Sequence, residues 1–295
     1  MEVSFANLTD EIKEIKRAIE IAKADTLEFC NKCGIYNEQL QRISKIDWHI
    51  QGLFYHFGNM IEHYGAIVDT AGNKVESANN QENIDISILM TGNDKLPHLY
   101  FELYAFINLF RISLDYFHRT LYKQFDNPKN LPKSFSAFKS QTTDCPLLER
   151  MANDNLILYF KDFRDCLNHY RTFSANRIYF LIQENIPIDE MPDLSSFEEA
   201  FPDIVKPMFR KNAEGKYVVN FYLPDYIFQQ GETKKLVVKF TYNEKRNILA
   251  TTMHAIRHLV FNYLELLTCL KSNEVKYHYN KNGFEKAVDY IDFFD

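Results

Sequence analysis

Three stretches of the sequence place an arginine a few residues ahead of a histidine: Arg42 to His49, Arg111 to His118, and Arg164 to His169. The first two pairs have six residues between the partners and the third has four. Such a pair joins two complementary chemistries. An imidazole titrates near neutral pH and can take or return a proton, whereas a guanidinium is a permanent planar cation whose fork fits anionic oxygens. Spacing alone does not choose among the three.

Local context singles out the third, in "FRDCLNHYRTF". Asp165 and His169 are four residues apart, so on a helix they share one face and the carboxylate can hold one ring nitrogen of the imidazole. Counting about 100° per residue from the apolar stripe leaves Asp165 and His169 pointing away from the chain's own core, with Arg164 and Asn168 on the flank between. Arg164 and His169 are the candidate catalytic residues. Asp165, Asn168, Tyr170 and Arg171 are candidate supporting residues that add hydrogen bonds.

Other site chemistries find little support. The sequence has no glycine-rich phosphate loop and no nucleophile elbow, and "HAIRH" at 254–258 has zinc-protease histidine spacing without the adjacent glutamate. No histidine has a glutamate three residues before it, which removes the di-iron carboxylate pattern. Cys30 and Cys33 form one CxxC with no second pair at zinc spacing. His49, His56 and His63 recur every seven residues on one helix, without acidic or thiol residues at matching steps, and read as histidines flanking an apolar seam. No cofactor and no metal site is expected.

Five segments must position these residues, each with apolar positions at alternating three- and four-residue steps. They run over about 8–30, 37–64, 97–125, 146–173 and 245–271, and "GFEKAVDYIDFFD" suggests a short sixth helix. Residues 65–95, rich in Asn, Gly and Asp, read as a long loop. Between the fourth and fifth helices the period drops to two in "RIYFLIQ", "KYVVNFYL" and "KLVVKFTY", three expected strands, with "RKNAEGKY" as a hairpin turn. The expectation is a mainly α chain: a single helical domain over 1–295 with a small antiparallel β insert at about 176–243.

Composition fits a packed soluble protein: of 295 residues 46% are hydrophobic and 15% aromatic, ample for a core. The first residues are acidic and amphipathic, and no run approaches the roughly 20 apolar residues of a membrane span, so a cytoplasmic location and no membrane partner are expected. Five scattered cysteines point to reduced thiols. The net charge of -6 argues against a broadly basic coat. Residues 206–246 nevertheless hold nine lysines and arginines against four carboxylates, a locally basic stretch.

"RDCLNH" on a helix of an aromatic-rich bundle resembles the signature of the HEPN (higher eukaryotes and prokaryotes nucleotide-binding) superfamily, in which an arginine, then a polar residue, precede a histidine. Arg164, Asp165 and His169 match that pattern. The resemblance implies a HEPN-like helical bundle, a homodimer that brings two motifs together, and metal-independent endoribonuclease activity on RNA. Many members act as toxins or defence effectors, which makes an antitoxin protein a candidate partner. Others are non-catalytic, so a module that binds RNA, a nucleotide or a protein stands as the alternative. Geometry adds its own expectation: five residues along a helix leave Arg164 and His169 roughly 140° apart, so a twofold partner would have to complete a shared cleft near residues 164–171.

Overall fold

The computed structural model describes residues 5–33, 37–78, 95–138, 142–169, 205–211, 217–230, 237–241, 245–271 and 276–282. Among the described residues six α-helices dominate: α1 Phe5–Cys33, α2 Asn37–Ala78, α3 Lys95–Thr120, α4 Pro146–Asn153, α5 Asn155–His169 and α6 Ile248–Leu270. Between α5 and α6 the described residues form four strands: β1 Lys206–Lys211, β2 Tyr217–Tyr222, β3 Tyr226–Gln230 and β4 Val237–Thr241. The expectation of a mainly α helical bundle with a small antiparallel β part holds. No described helix is long and apolar enough to cross a membrane.

The buried positions are those that the helical period selects. In α3, Leu99, Leu103, Phe106, Phe110, Leu114 and Phe117 are all essentially inaccessible, as is Leu121 just beyond its end. In α6 the same holds for Leu249, Met253, Ile256, Tyr263 and Leu267. Each such side chain removes about 1.5–3 kcal/mol of apolar surface cost from water, which outweighs the weak propensity of the many aromatic residues in these helices.

Three local expectations are corrected. Helix α2 continues to Ala78, so residues 65–78 are helix and not loop; Tyr64 and Ile67 carry its buried stripe past the expected end. The segment expected as one helix from 146 is two, because Asp154 stops α4 and starts α5. Asp154 accepts the backbone N–H of Leu156 at 2.8 Å and of Ile157 at 3.1 Å on Oδ1, the bonds of a helix N-cap. The β part is two separate ribbons: β1 pairs antiparallel with β2 across the expected 210–217 turn, and β3 with β4. Strands β1 and β3 had no clear alternation in sequence, and Pro207 in β1 is tolerated because a two-stranded ribbon is all edge. "RIYFLIQ", the expected sixth helix and Cys30 and Cys33 as side chains lie outside the described residues.

The chain divides into two compact units. One comprises Met1–Phe5, Leu53–Asn108 and Asp162–His254; the other comprises Ala6–Gly52, Leu109–Lys161 and Ala255–Asp295. Within the first, α2 and α3 run antiparallel, with His56 meeting Glu102 and His63 meeting His98. The β1–β2 ribbon is tied to α2 there: Tyr64 donates its hydroxyl to Asn220 Oδ1 at 3.1 Å and accepts Asn247 Nδ2 at 3.3 Å, while its ring meets that of Phe221. Asn247 in turn caps α6 through Leu249 N and Ala250 N.

Within the second unit, Lys23 of α1 pairs with Asp47 of α2 at 2.9 Å and Arg257 of α6 pairs with Glu11 of α1. Arg150 of α4 pairs with Glu265 of α6. A late segment folds back onto this unit as an irregular strand. Gln124 O accepts Lys276 N and Tyr277 N, while Tyr277 and Tyr279 set their rings against Phe125 and Phe138.

Candidate functional site

Helix α5 positions the predicted pair. Its apolar residues Leu156, Ile157, Phe160, Phe163, Cys166 and Leu167 are buried at three- and four-residue steps, which turns Arg164 and Asp165 to the flank. Both side chains are 34% exposed, so neither stands further out than the other. Arg164 donates Nη1 to Asp165 Oδ1 at 2.8 Å.

The rest of the guanidinium is the informative part. Nε of Arg164 is enclosed, with no hydrogen-bond partner among the described residues. Leaving a buried donor unmatched costs about 1–3 kcal/mol. Because Nε is enclosed, a ligand would meet the guanidinium through its terminal nitrogens. The Asp165 carboxylate occupies Nη1 of Arg164 and holds the half-exposed head group in one orientation.

His169 is the last residue of α5, and its side chain and that of Asn168 lie outside the described residues, as do Tyr170 and Arg171 altogether. The expected Asp165–His169 contact therefore falls outside them as well.

The structure assigns the other two arginine–histidine pairs to the fold of the second unit. Arg111 is buried and fully engaged, donating Nη1 to Asp115 at 2.9 Å and Nη2 to Ser134 Oγ at 2.8 Å. Burial works against ionising Asp115, but hydrogen bonds from Phe135 N, Arg111 and Ser134 hold its carboxyl below the ordinary value. His118 is 1% exposed and donates Nε2–H to Pro132 O at 2.8 Å, which fixes its tautomer. Burial lowers its pKa to about 4, only partly opposed by the Pro132 hydrogen bond. A neutral, enclosed imidazole of this kind braces the chain around residues 132–138. Arg42 donates to Arg119 O and lies over the Tyr122 ring at 4.4 Å, while His49 packs edge-on to Tyr116, its pKa lowered by burial and by Lys45.

Each histidine of the seven-residue series meets a partner on α3 that the α2 sequence does not reveal. His56 Nδ1 lies 2.6 Å from Glu102 Oε2, and His63 stacks on His98 with ring centroids 5.4 Å apart. The acidic partner of His56 comes from α3, 46 residues away, which is why matching steps along α2 show none. His258 of "HAIRH" pairs with the capping Asp154, Nδ1 to Oδ2 at 2.8 Å. Among the described residues no group of three or more His, Cys, Asp or Glu side chains is placed to hold a metal ion. The side chains of the basic β stretch lie mostly outside the described residues.

Comparison with family models, with curated proteins and with solved structures gives no match for this chain.

Proposed function

We propose that the chain is a metal-independent endoribonuclease of HEPN type, with Arg164 and His169 as its working pair at a homodimer cleft. The observation that carries this reading is the half-exposed Arg164 guanidinium, oriented through Nη1 by Asp165, while the competing Arg111–His118 pair is consumed by packing. The likeness of "RDCLNH" to the HEPN signature supports the same pair.

The chemistry is proton transfer around one phosphodiester. His169 takes the proton of a ribose 2′-hydroxyl, whose oxygen attacks the adjacent phosphorus. The bond from phosphorus to the 5′-oxygen breaks, that oxygen receives the proton back from the His169 imidazolium, and the upstream strand is left with a 2′,3′-cyclic phosphate. Arg164 offsets the negative charge that builds on the phosphorus oxygens.

The test is cleavage of a defined single-stranded RNA by purified protein in the presence of a chelator, with end-group analysis of the products. Wild type should yield cyclic phosphate ends, and His169→Ala should lose about 10²–10⁴-fold in rate with its thermal midpoint unchanged. RNA binding without cleavage under every condition would replace the enzyme with a binding module.

A further inference from the structure

We propose that the α2–α3 surface of the first unit, built on His56, Glu102, Tyr55 and Phe101, holds the bases of single-stranded RNA. The proposal rests on the ribonuclease reading above only for the strand itself; its residues are other than Arg164 and His169.

The arrangement starts from one carboxylate. Glu102 Oε1 accepts Asn59 Nδ2 at 3.0 Å, and Oε2 takes His56 Nδ1 at 2.6 Å, so both oxygens are committed to α2. A hydrogen bond to a carboxylate fixes the proton on Nδ1 and leaves Nε2 of the neutral ring as an acceptor. Nε2 has no partner among the described residues and is not enclosed. A histidine that served only to join two helices would not need its outer nitrogen left open at the surface.

An exposed aromatic residue adjoins each member of the pair along its helix. Tyr55, next along α2, is 65% exposed and meets the His56 ring edge-on at 5.4 Å. Phe101, beside Glu102 on α3, is 60% exposed. Exposed aromatics occurring singly need no explanation, but here one adjoins the oriented histidine and the other its carboxylate partner. A planar ligand that stacks on a ring and donates an N–H to Nε2 fits, and the edges and faces of nucleobases supply both. Two platforms on facing helices suit successive bases of a strand better than one mononucleotide. Glu62 and Asp69 are exposed on the same stretch of α2, so stacking and not phosphate neutralisation supplies the affinity here.

The test is fluorescence anisotropy with a labelled 2′-O-methyl decanucleotide, which cannot be cut through its 2′-oxygen, titrated with the full chain. Tyr55→Ala and Phe101→Ala should each weaken binding about tenfold, with thermal midpoints unchanged, and His56→Ala should weaken it several-fold. The lost affinity should depend little on salt, unlike that lost in Arg164→Ala. If both aromatic variants bind as wild type does while Arg164→Ala does not, this surface is refuted and the Arg164–His169 site stands. If the aromatic variants lose binding but wild type cuts no RNA, the surface stands and the cleavage reading fails. Altered sedimentation of the aromatic variants with unchanged RNA binding would assign the face to a second copy of the chain and overturn the proposal, as would failure of wild type to bind the strand.

Discussion

Arg164 turns Nη1 onto Asp165 Oδ1 at 2.8 Å although the two residues are consecutive on α5. Neighbours on a helix diverge by about 100°, so only a long side chain folded back along the surface makes this contact. The bond fixes the guanidinium plane.

Removing that orientation separates charge from geometry. Arg164→Lys keeps the charge but has no fork, and RNA cleavage should fall at least 10²-fold. Asp165→Asn keeps Arg164 but loosens it, and should cost about tenfold in kcat with little change in KM. Steady-state kinetics on one oligonucleotide check both, and wild-type rates in Arg164→Lys would remove Arg164 from the site.

The roughly 140° between Arg164 and His169 on a regular helix leads to a complementation experiment. Arg164→Ala and His169→Ala chains, each inactive alone, should regain a fraction of the wild-type rate when mixed and allowed to exchange subunits, because a heterodimer keeps one intact arginine and one intact histidine. Full activity in a preparation that sediments as a monomer would exclude the shared cleft.

Stability should depend on pH through the enclosed His118. Its folded pKa of about 4 lies below the ordinary 6.5, so between these values the unfolded chain binds a proton that the folded chain does not. The contribution is complete above about pH 6.5, falls as pH drops and is exhausted below about 4; its size is on the order of 3 kcal/mol. His49 acts with the same sign, and His278, raised by its hydrogen bond to Asp144, acts against it. Asp115, held low, loses its contribution only as pH falls below its ordinary 3.8. Urea unfolding from pH 7.5 to 4.5 should show a stability loss that His118→Gln, which can still donate to Pro132 O, largely abolishes.

Asp154→Ala removes the α5 cap and the partner of His258 together. A cap alone is worth about 1 kcal/mol, and the His258 contact brings the expected loss to about 2 kcal/mol. Asp154→Asn, which keeps the capping oxygen, should recover most of it. Equal midpoints for the two variants would show that the cap contributes nothing.

Periodicity made the helices legible because burial follows it: residues such as Leu99, Phe106 and Phe110 are found inside. It did not reveal the break at Asp154, where the apolar steps continue in register on both sides and only the polar run Asn153–Asp154–Asn155 marks the cap. Spacing likewise could not rank three arginine–histidine pairs. What separates Arg111 from Arg164 is a partner far along the chain, Ser134, and burial supplied by tertiary packing. The His56–Glu102 pair is hidden for the same reason, since its members are joined only when α2 and α3 lie side by side.

The returning segment at 276–280 acts as a lid on the second unit's aromatic interior. Phe125 and Phe138 are shielded by Tyr277 and Tyr279, and Asp144 grips His278 through both its backbone N–H and its ring. A protease cut ahead of Lys276 would therefore do more than shorten the chain. It would strip two phenylalanine faces of their cover and leave Gln124 O without its two donors, turning a quiet surface into a sticky one prone to self-association.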